Sequence, residues 1–447
     1  MKVLVIGSGG REHTIAWRLA LSNRIDEVIC VPGNGGTATE SKCRNINPKD
    51  DPALEKLSLN EAAVKIAKEC NVDFAVIGPE DPLAEGIADS LWEAGIKTVG
   101  PKAKGAALEA SKDLSKIFMK KYGVACADSE TFTDVEKALA YVKEKGAPIV
   151  IKADGLAAGK GVVVAKTLEE AEKAVNDLMS GNSVGEAGKK LVIEEYLQGV
   201  EISVLAAVSV TEESASKNEA CIKAFLPSRD HKRLMDGAKG PNTGGMGAVC
   251  PLSDVTKETM DLFDKNILQP TLNGIINEKM DYRGFIFFGL MITKDGPKAL
   301  EYNVRLGDPE IQAVLPMMDF DFAELCLSII DGSLSKFDMK WKDGFQVAPV
   351  AVSGGYPLKY AKNKEITFDE NVIKNTGAKI FIAGAIKDRR ETKTALLTSG
   401  GRVLACSAHG ESFDEAWKKA YEAMNGVSFE GMFYRKDIGL PGAAESN

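Results

Sequence analysis

The chain has 447 residues, enough for about three domains at roughly 150 residues each. Lys plus Arg number 56 against 64 Asp plus Glu, a formal charge of −8 with no strongly basic block, which argues against a dedicated nucleic-acid binder. Hydrophobic residues at 44% exclude a mostly disordered chain, and the longest apolar stretch, near Phe285–Ile292, is far shorter than the roughly 18 residues of a membrane span.

In chain order, the first expected strand is Lys2 to Ile6, followed by Gly7-Ser8-Gly9-Gly10 and a helix from Arg11 to about Leu21. Its apolar stretch is too short for the core of an export signal, roughly 7–15 residues. The eight Cys are scattered without a CxxC pair, so reduced thiols and a cytoplasmic setting are expected. A strand at Glu27–Val31 ends on Pro32-Gly33-Asn34-Gly35-Gly36. A helix from Asn60 to Cys70 leads to the strand Asp73–Ile77 and then Gly78-Pro79-Glu80-Asp81-Pro82. A helix from Leu83 to Ala94 and the strand Lys97–Val99 follow. This alternation predicts an α/β unit with a parallel sheet, whose ligands sit at the carboxyl ends of the strands.

Gly100-Pro101 marks an expected boundary. Beyond it the pattern predicts one helix from Lys104 to Lys121 and strands at Ile149–Lys152, Gly161–Ala165 and Leu191–Glu194. Ser180–Lys190 and Glu212–Glu219 read as loops. Pro227–Pro251, rich in Gly and charge, reads as a long loop, functional or disordered. A third unit, from about Leu334 to Ile438, holds strands at Gln346–Ser353, Lys379–Ile382 and Arg402–Ser407 and a helix at Phe413–Met424. The tail from Gly442 is expected to fray.

Five segments are candidates to carry chemistry. In Leu300-Glu301-Tyr302-Asn303-Val304-Arg305-Leu306 a strand would point Glu301, Asn303 and Arg305 to one face. Two oxygen donors suit a hard cation, and the Arg fork suits phosphate oxygens. Gly307-Asp308-Pro309-Glu310 extends that polar site. Lys152 stands before a Gly-rich loop, Gly155 to Gly161 with Gly159 within it, where backbone N–H groups would cradle polyphosphate. It lacks the P-loop spacing. Glu194-Glu195-Tyr196-Leu197, with Glu201, offers backbone groups for a base edge and carboxylates for ribose hydroxyls. Gly7-Ser8-Gly9-Gly10-Arg11-Glu12 has Glu12 where a dinucleotide fingerprint needs Gly, yet its helix N-terminus and Arg11 suit a phosphate monoester. Finally, Asp230-His231-Lys232-Arg233 and Gly240–Gly247 suggest a substrate-lining loop. Each segment also has a plainer reading: a half-exposed strand, a flexible hairpin, an acidic turn, a tight strand-to-helix turn and a solvated loop. The three His lack metal spacing, and no GxSxG elbow is present.

Together GSGGREH (Gly7–His13), GPEDPL (Gly78–Leu83), KADGLAAGKGV (Lys152–Val162), DHKR (Asp230–Arg233), GPNTGGMG (Gly240–Gly247), EYNVRLGDPE (Glu301–Glu310) and GGRVL (Gly400–Leu404) resemble the phosphoribosylamine–glycine ligase family of ATP-grasp enzymes. The resemblance spans Met1 to about Gly439. It implies an N-terminal Rossmann-like domain (1–101), an α+β ATP-grasp domain (102–333, mobile lid about 123–194), a small C-terminal α/β domain (334–439) and a tail (440–447). It implies joining of glycine to 5-phosphoribosylamine at the expense of ATP, through glycyl phosphate, in de novo purine synthesis. Mg²⁺, with Mn²⁺ able to stand in, falls on Glu301 and Asn303. ATP falls on Lys112, Lys152, Gly155, Gly159, Gly161, Glu194, Glu195, Leu197 and Glu201, and Lys152 and Arg305 act on the transferring phosphoryl group. The other substrates fall on Gly9, Gly10, Arg11, Glu12, Glu80, Asp230, Lys232, Asn242, Gly244 and Asp308. The partners implied are small molecules, with no nucleic acid or membrane, in a monomer or weak homodimer.

The chain departs from the family pattern at Arg229 and Ala238, where Gln and Asp are usual, and at Ile382-Ala383-Gly384-Ala385, where the family carries HAGT. The competing expectations are a carboxylase of the same superfamily, a nucleotide-binding regulator with a dead site, and an NAD oxidoreductase. GPNTGGMG, the intact Glu301 and Asn303, and Glu12 stand against them in turn.

Overall fold

The computed structural model describes residues 1–155, 161–181, 185–388 and 395–444. The N-terminal strands are apolar runs buried on both faces, as a parallel sheet covered by helices requires. Lys2–Gly7, Glu27–Pro32, Phe74–Ile77, Lys97–Val99 and a further short strand, Cys43–Asn45, all pair in parallel. From one edge to the other they run Cys43–Asn45, Glu27–Pro32, Lys2–Gly7, Phe74–Ile77, Lys97–Val99. The winding direction reverses between Lys2–Gly7 and Phe74–Ile77, so the glycine loop and Gly78-Pro79-Glu80 meet at the crevice where such sheets bind ligands.

Two antiparallel sheets follow. One orders Cys221–Ala224, Val200–Val210, Tyr282–Thr293 and Gly296–Asn303. The other orders Ser129–Phe132, Leu191–Glu195, Ile149–Ala153 and Val162–Ala165. One face of this second sheet packs Ile149, Ile151 and Ile193 on the helices Val135–Lys145 and Leu168–Met179. By strand alternation, Val150, Lys152 and Glu194 point to the other face.

Several expected elements are subdivided. The helix expected over Leu83–Ala94 is two, Glu80–Ala84 and Ile87–Glu93, broken at Gly86, whose φ of +79° leaves the helical region. The helix expected over Lys104–Lys121 is also two, Ala103–Ala110 and Lys112–Tyr122. Ser111 between them is extended, and its Oγ accepts from Leu114 N at 3.1 Å, capping the second helix. Thr211 and Ser214 cap a short helix, Glu212–Ser216, where a loop was expected.

The stretch 227–251 is not a loop. Arg229–Asp230 and Gly247–Cys250 join a five-stranded sheet with Phe345–Val352, Arg402–Gly410 and Lys379–Ile382, and Arg233–Met235 pairs with Lys239–Asn242 as a ribbon. Ala238 turns this ribbon at φ +54°, a conformation Asp reaches more easily than Ala. The tail is held as far as Ala443, which is buried and whose carbonyl accepts from Arg435 Nη2 at 2.7 Å. Among the described residues no helix is long and apolar enough to cross a membrane.

His231 ties these pieces together. Gly439 N donates to its Nε2 at 3.0 Å, so Nδ1 carries the proton and donates to Gly247 O at 3.1 Å. Burial, with the Arg435 guanidinium nearby, lowers its pKa to about 4. The neutral ring is therefore favoured by folding. Its stabilising effect is complete above the ordinary pKa of 6.5 and is lost as pH falls through that value toward 4, a change of about 3 kcal/mol. Denaturant titrations from pH 7 to 4 are expected to show this slope and to lose it in His231→Gln. An equal slope in the variant would assign the pH dependence to other groups.

Candidate active site

The alternation expected around Glu301 is present. Tyr302, Val304 and Leu306 are buried in the core, while Glu301, Asn303 and Arg305 are only partly buried, on the opposite face. Gly289 lies opposite Glu301, and a Cβ there would approach the Glu301 side chain to 3.3 Å, so glycine leaves the carboxylate its room. Among the described residues no hydrogen bond or ion pair engages that carboxylate. Burial alone would raise its pKa, but Lys232, Lys152, Lys112 and Arg305 lower it below the ordinary value. Glu301 is thus an ionised, unengaged oxygen donor. Asn303 Oδ1 accepts one hydrogen bond, from Arg305 Nη2 at 3.1 Å, and keeps a second lone pair. Among the described residues no group of three or more His, Cys, Asp or Glu forms a metal cage. Mg²⁺ needs none when one or two protein oxygens share it with phosphates and water, so this donor pair fits a hard cation.

Arg305 is fixed from three sides. Its Nε meets Glu80 Oε2 at 3.2 Å, its Nη2 meets Glu109 Oε1 at 3.1 Å, and Asn303 completes the set. Burial alone would lower its pKa, but Glu109 and Glu80 reverse this and raise it. Glu109 in turn accepts from Val304 N at 2.7 Å.

The other lysines converge from separate elements. Lys152 Nζ lies 3.0 Å from Glu194 Oε1 and donates to Leu300 O at 3.3 Å. Burial opposes its charge, but Glu194 and Glu301 raise its pKa. Lys112 Nζ donates to Gly155 O at 2.7 Å. Lys232 is paired with Glu201. Gly155 takes φ +122°, and Gly161 O accepts from Ala153 N at 2.7 Å. Gly159, with the rest of the expected lid tip at 156–160, lies outside the described residues. Glu195 meets Lys298 Nζ at 2.9 Å at the surface, and Leu197 packs with Ala127, Met291 and Leu300 in a small apolar cluster beside Glu194.

At the crevice of the parallel sheet, Glu12 is turned inward. A Cβ on Gly7 or Gly78 would lie 2.5 or 2.0 Å from its carboxyl group, so these glycines are what admit it. Its Oε2 accepts from Gly9 N at 2.5 Å, and burial raises its pKa. Arg11 Nη1 donates to Gly78 O at 3.1 Å and lies 3.4 Å from Glu80 Oε2, so Glu80 joins Arg11 to Arg305. Gly9 and Gly10 face Asp308: a Cβ on either would lie 3.8 or 3.5 Å from its Oδ2.

Asp308 accepts from Arg11 N at 3.2 Å and from Gln312 Nε2 at 3.0 Å, and Arg402 Nη1 lies 3.4 Å away. Arg402 Nη1 also donates to the carbonyls of Asp308 and Gly244, and Tyr356 Oη accepts from Gly244 N at 2.9 Å. Asp230 abuts Gly245, and burial followed by Glu310 raises its pKa well above the ordinary value. Asn242 stands exposed on the ribbon, opposite Arg233. Arg229 pairs with Asp254 at 2.8 Å. The Ile382–Ala385 departure touches the N-terminal unit through backbone: Asn34 Nδ2 donates to Ile382 O and Ala383 O, Gly35 N donates to Ala385 O, and Ile382 N donates to His13 Nδ1. The Ile382 and Ala385 side chains are buried in the core of the C-terminal unit.

The residues missed in the sequence are Glu109, Lys116, Gln312, Tyr356 and Arg402. Lys116 Nζ lies 3.1 Å from Glu194 Oε2. Glu109, Lys116 and Gln312 stand on helices, in no Gly-rich or alternating segment; Tyr356 follows Gly354-Gly355, and the GGRVL motif marked Arg402 without a role.

Comparison with known proteins matches the three parts of the chain in turn. Residues 1–109 match the phosphoribosylglycinamide synthetase N domain, residues 110–311 its ATP-grasp (A) domain, and residues 346–441 its C domain. A phosphoribosylamine–glycine ligase of Clostridium acetobutylicum is 48% identical over 439 residues, covering 98% of this chain and 99% of the relative. One from Vibrio vulnificus is 44% identical over 440 residues, covering 98% of each. The crystal structure of the Thermotoga maritima phosphoribosylamine–glycine ligase superposes with a TM-score of 0.80 at 34% identity, covering 98% of this chain and 100% of that one. The biotin carboxylase domain of the Hydrogenobacter thermophilus 2-oxoglutarate carboxylase, solved with MgADP and bicarbonate, has a TM-score of 0.68 at 17% identity over 97% of this chain and 91% of that one. This second likeness concerns the fold alone.

Proposed function

The chain belongs to the phosphoribosylglycinamide synthetase family, and from that premise and the unengaged Glu301 carboxylate among four cations we infer how its residues share the work. The enzyme is an ATP-grasp ligase that forms a C–N bond between glycine and 5-phosphoribosylamine, giving glycinamide ribonucleotide, ADP and phosphate in purine biosynthesis.

Glycine carboxylate is a poor acyl donor because oxide cannot leave. A carboxylate oxygen attacks the γ-phosphorus of ATP, and the bond to the β–γ bridging oxygen breaks with its electrons going to ADP. The resulting glycyl phosphate carries phosphate as leaving group. The amine lone pair of phosphoribosylamine then attacks the acyl carbon, phosphate departs, and the new amide nitrogen sheds a proton. The first step spreads charge over phosphoryl oxygens, so positioning and cations dominate. We assign Lys112 and Lys152 to the nucleotide phosphates and Arg305 to the transferring phosphoryl oxygens. Glu301 and Asn303 would hold Mg²⁺, which supplies Lewis-acid neutralisation of the phosphate oxygens. The segment around Leu197 would receive the adenine. Gly9, Gly10 and Arg11, at the sheet crevice, would receive the phosphoribosyl group, with Glu12 bracing the loop from beneath. Asp308, held by Arg402, lies where these two regions meet, and with Asp230 and Gly244 it would line the glycine pocket.

An assay of ADP release, omitting one substrate at a time, tests this reading. Release is expected to require glycine, and its full rate to require phosphoribosylamine as well. Release driven by bicarbonate without glycine would move the chain to carboxylase chemistry.

A further inference from the structure

Resting on the assignment of Lys152 to the nucleotide phosphates, we propose that Lys116 is a positioning residue that frees Lys152 to leave Glu194 for the triphosphate. Glu194 is buried at 2% exposure, and each of its oxygens has its own lysine: Oε1 lies 3.0 Å from Lys152 Nζ and Oε2 lies 3.1 Å from Lys116 Nζ. The two ammonium groups come from different elements, the strand Ile149–Ala153 and the helix Lys112–Tyr122. Both are nearly as buried as the carboxylate. Among the described residues Lys116 has no other ion-pair partner.

A buried carboxylate stripped of its only cation is costly. If Lys152 were the sole partner of Glu194, its turn toward a phosphate would leave such a carboxylate behind. With Lys116 in place, Glu194 stays paired whichever way Lys152 points. Lys116 therefore lowers the cost of nucleotide binding without touching the nucleotide. Burial lowers the Lys116 pKa while Glu194 opposes the shift, as befits an ammonium kept charged by one anion.

The test uses the Mg²⁺ complex of a non-hydrolysable ATP analogue, AMP-PNP, with adenosine as the probe that carries no phosphate. Lys116→Met is expected to weaken AMP-PNP binding by about 30-fold or more, the part of a buried pair's cost that binding must then meet, while changing adenosine binding by less than about threefold. Adding Glu194→Gln to that variant removes the stranded charge and is expected to return at least about tenfold of the lost affinity. Should Lys116→Met fail to fold, Glu194→Gln is compared with the double variant, where loss of Lys116 is expected to cost less than about threefold. Unchanged AMP-PNP affinity in Lys116→Met, an equal loss for adenosine, or a thirtyfold loss on the Glu194→Gln background would each overturn the inference. Lys152→Met separates it from its premise. Unchanged AMP-PNP binding in that variant would remove the Lys152 assignment itself. Weakened binding there, with normal binding in Lys116→Met, would remove the role of Lys116 alone.

Discussion

Glu301→Gln is expected to lower glycine-dependent ADP formation by about 10²–10³-fold, or roughly 3–4 kcal/mol of transition-state stabilisation, with unfolding still a single cooperative transition. The substitution keeps the shape of the side chain and removes one negative charge. That charge is the anionic half of the proposed metal site, and no protein hydrogen bond depends on it among the described residues. Four cations hold its pKa below the ordinary value against the pull of burial, so at neutral pH it is a carboxylate ready to bind a cation. A neutral amide leaves Lys232, Lys152, Lys112 and Arg305 facing one another without it. The Mg²⁺ concentration for half-maximal rate should rise along with the fall in rate. Wild-type turnover at wild-type Mg²⁺ dependence would remove Glu301 from the site.

Arg305→Met is expected to hurt both stability and rate, and the two effects can be separated. Arg305 is the cation of Glu109, whose side chain is 6% exposed, and it also meets the half-exposed Glu80. Removing one member of a buried pair costs about 3–5 kcal/mol, because the other charge is left behind. Burial already raises the Glu109 pKa with Arg305 present, and in the variant it should rise further. A carboxyl with a raised folded pKa takes up a proton on folding. Its penalty is therefore complete above that pKa and fades as pH falls toward the ordinary 4.5. The stability gap between variant and wild type should narrow from pH 7 to pH 5. Adding Glu109→Gln should restore stability at pH 7, since the amide oxygen still accepts from Val304 N. It should not restore the rate, because the phosphate-facing guanidinium is still missing. A pH-independent gap would exclude Glu109 as the source of the penalty, and full activity in the double variant would exclude Arg305 from the chemistry.

The site was legible where local pattern carries it. Alternation alone put Glu301, Asn303 and Arg305 on one face, because a strand repeats every two residues whatever surrounds it. The Gly-rich strand ends were likewise visible, since glycine marks places where backbone or a carboxyl group comes close, as Glu12 does at Gly7 and Gly78. Lys116 and Glu109 were not visible. On a helix they look like solvated charges, and only Glu194 and Arg305, distant in sequence, make them internal. The stretch 227–251 was misread for the same reason: its strand Gly247–Cys250 pairs with Phe345–Val352, about a hundred residues on, and its short strands have no periodicity of their own. Gly86 and Ser111 broke helices that periodicity had run together, because the apolar spacing continues across each break.

The most direct measurement is anomalous diffraction from crystals grown with Mn²⁺ and AMP-PNP. The account predicts a manganese peak at bonding distance from a Glu301 carboxylate oxygen and from Asn303 Oδ1, shared with the nucleotide phosphates. Manganese held by phosphates or other carboxylates, with the Glu301 and Asn303 side chains turned from it, would contradict the account.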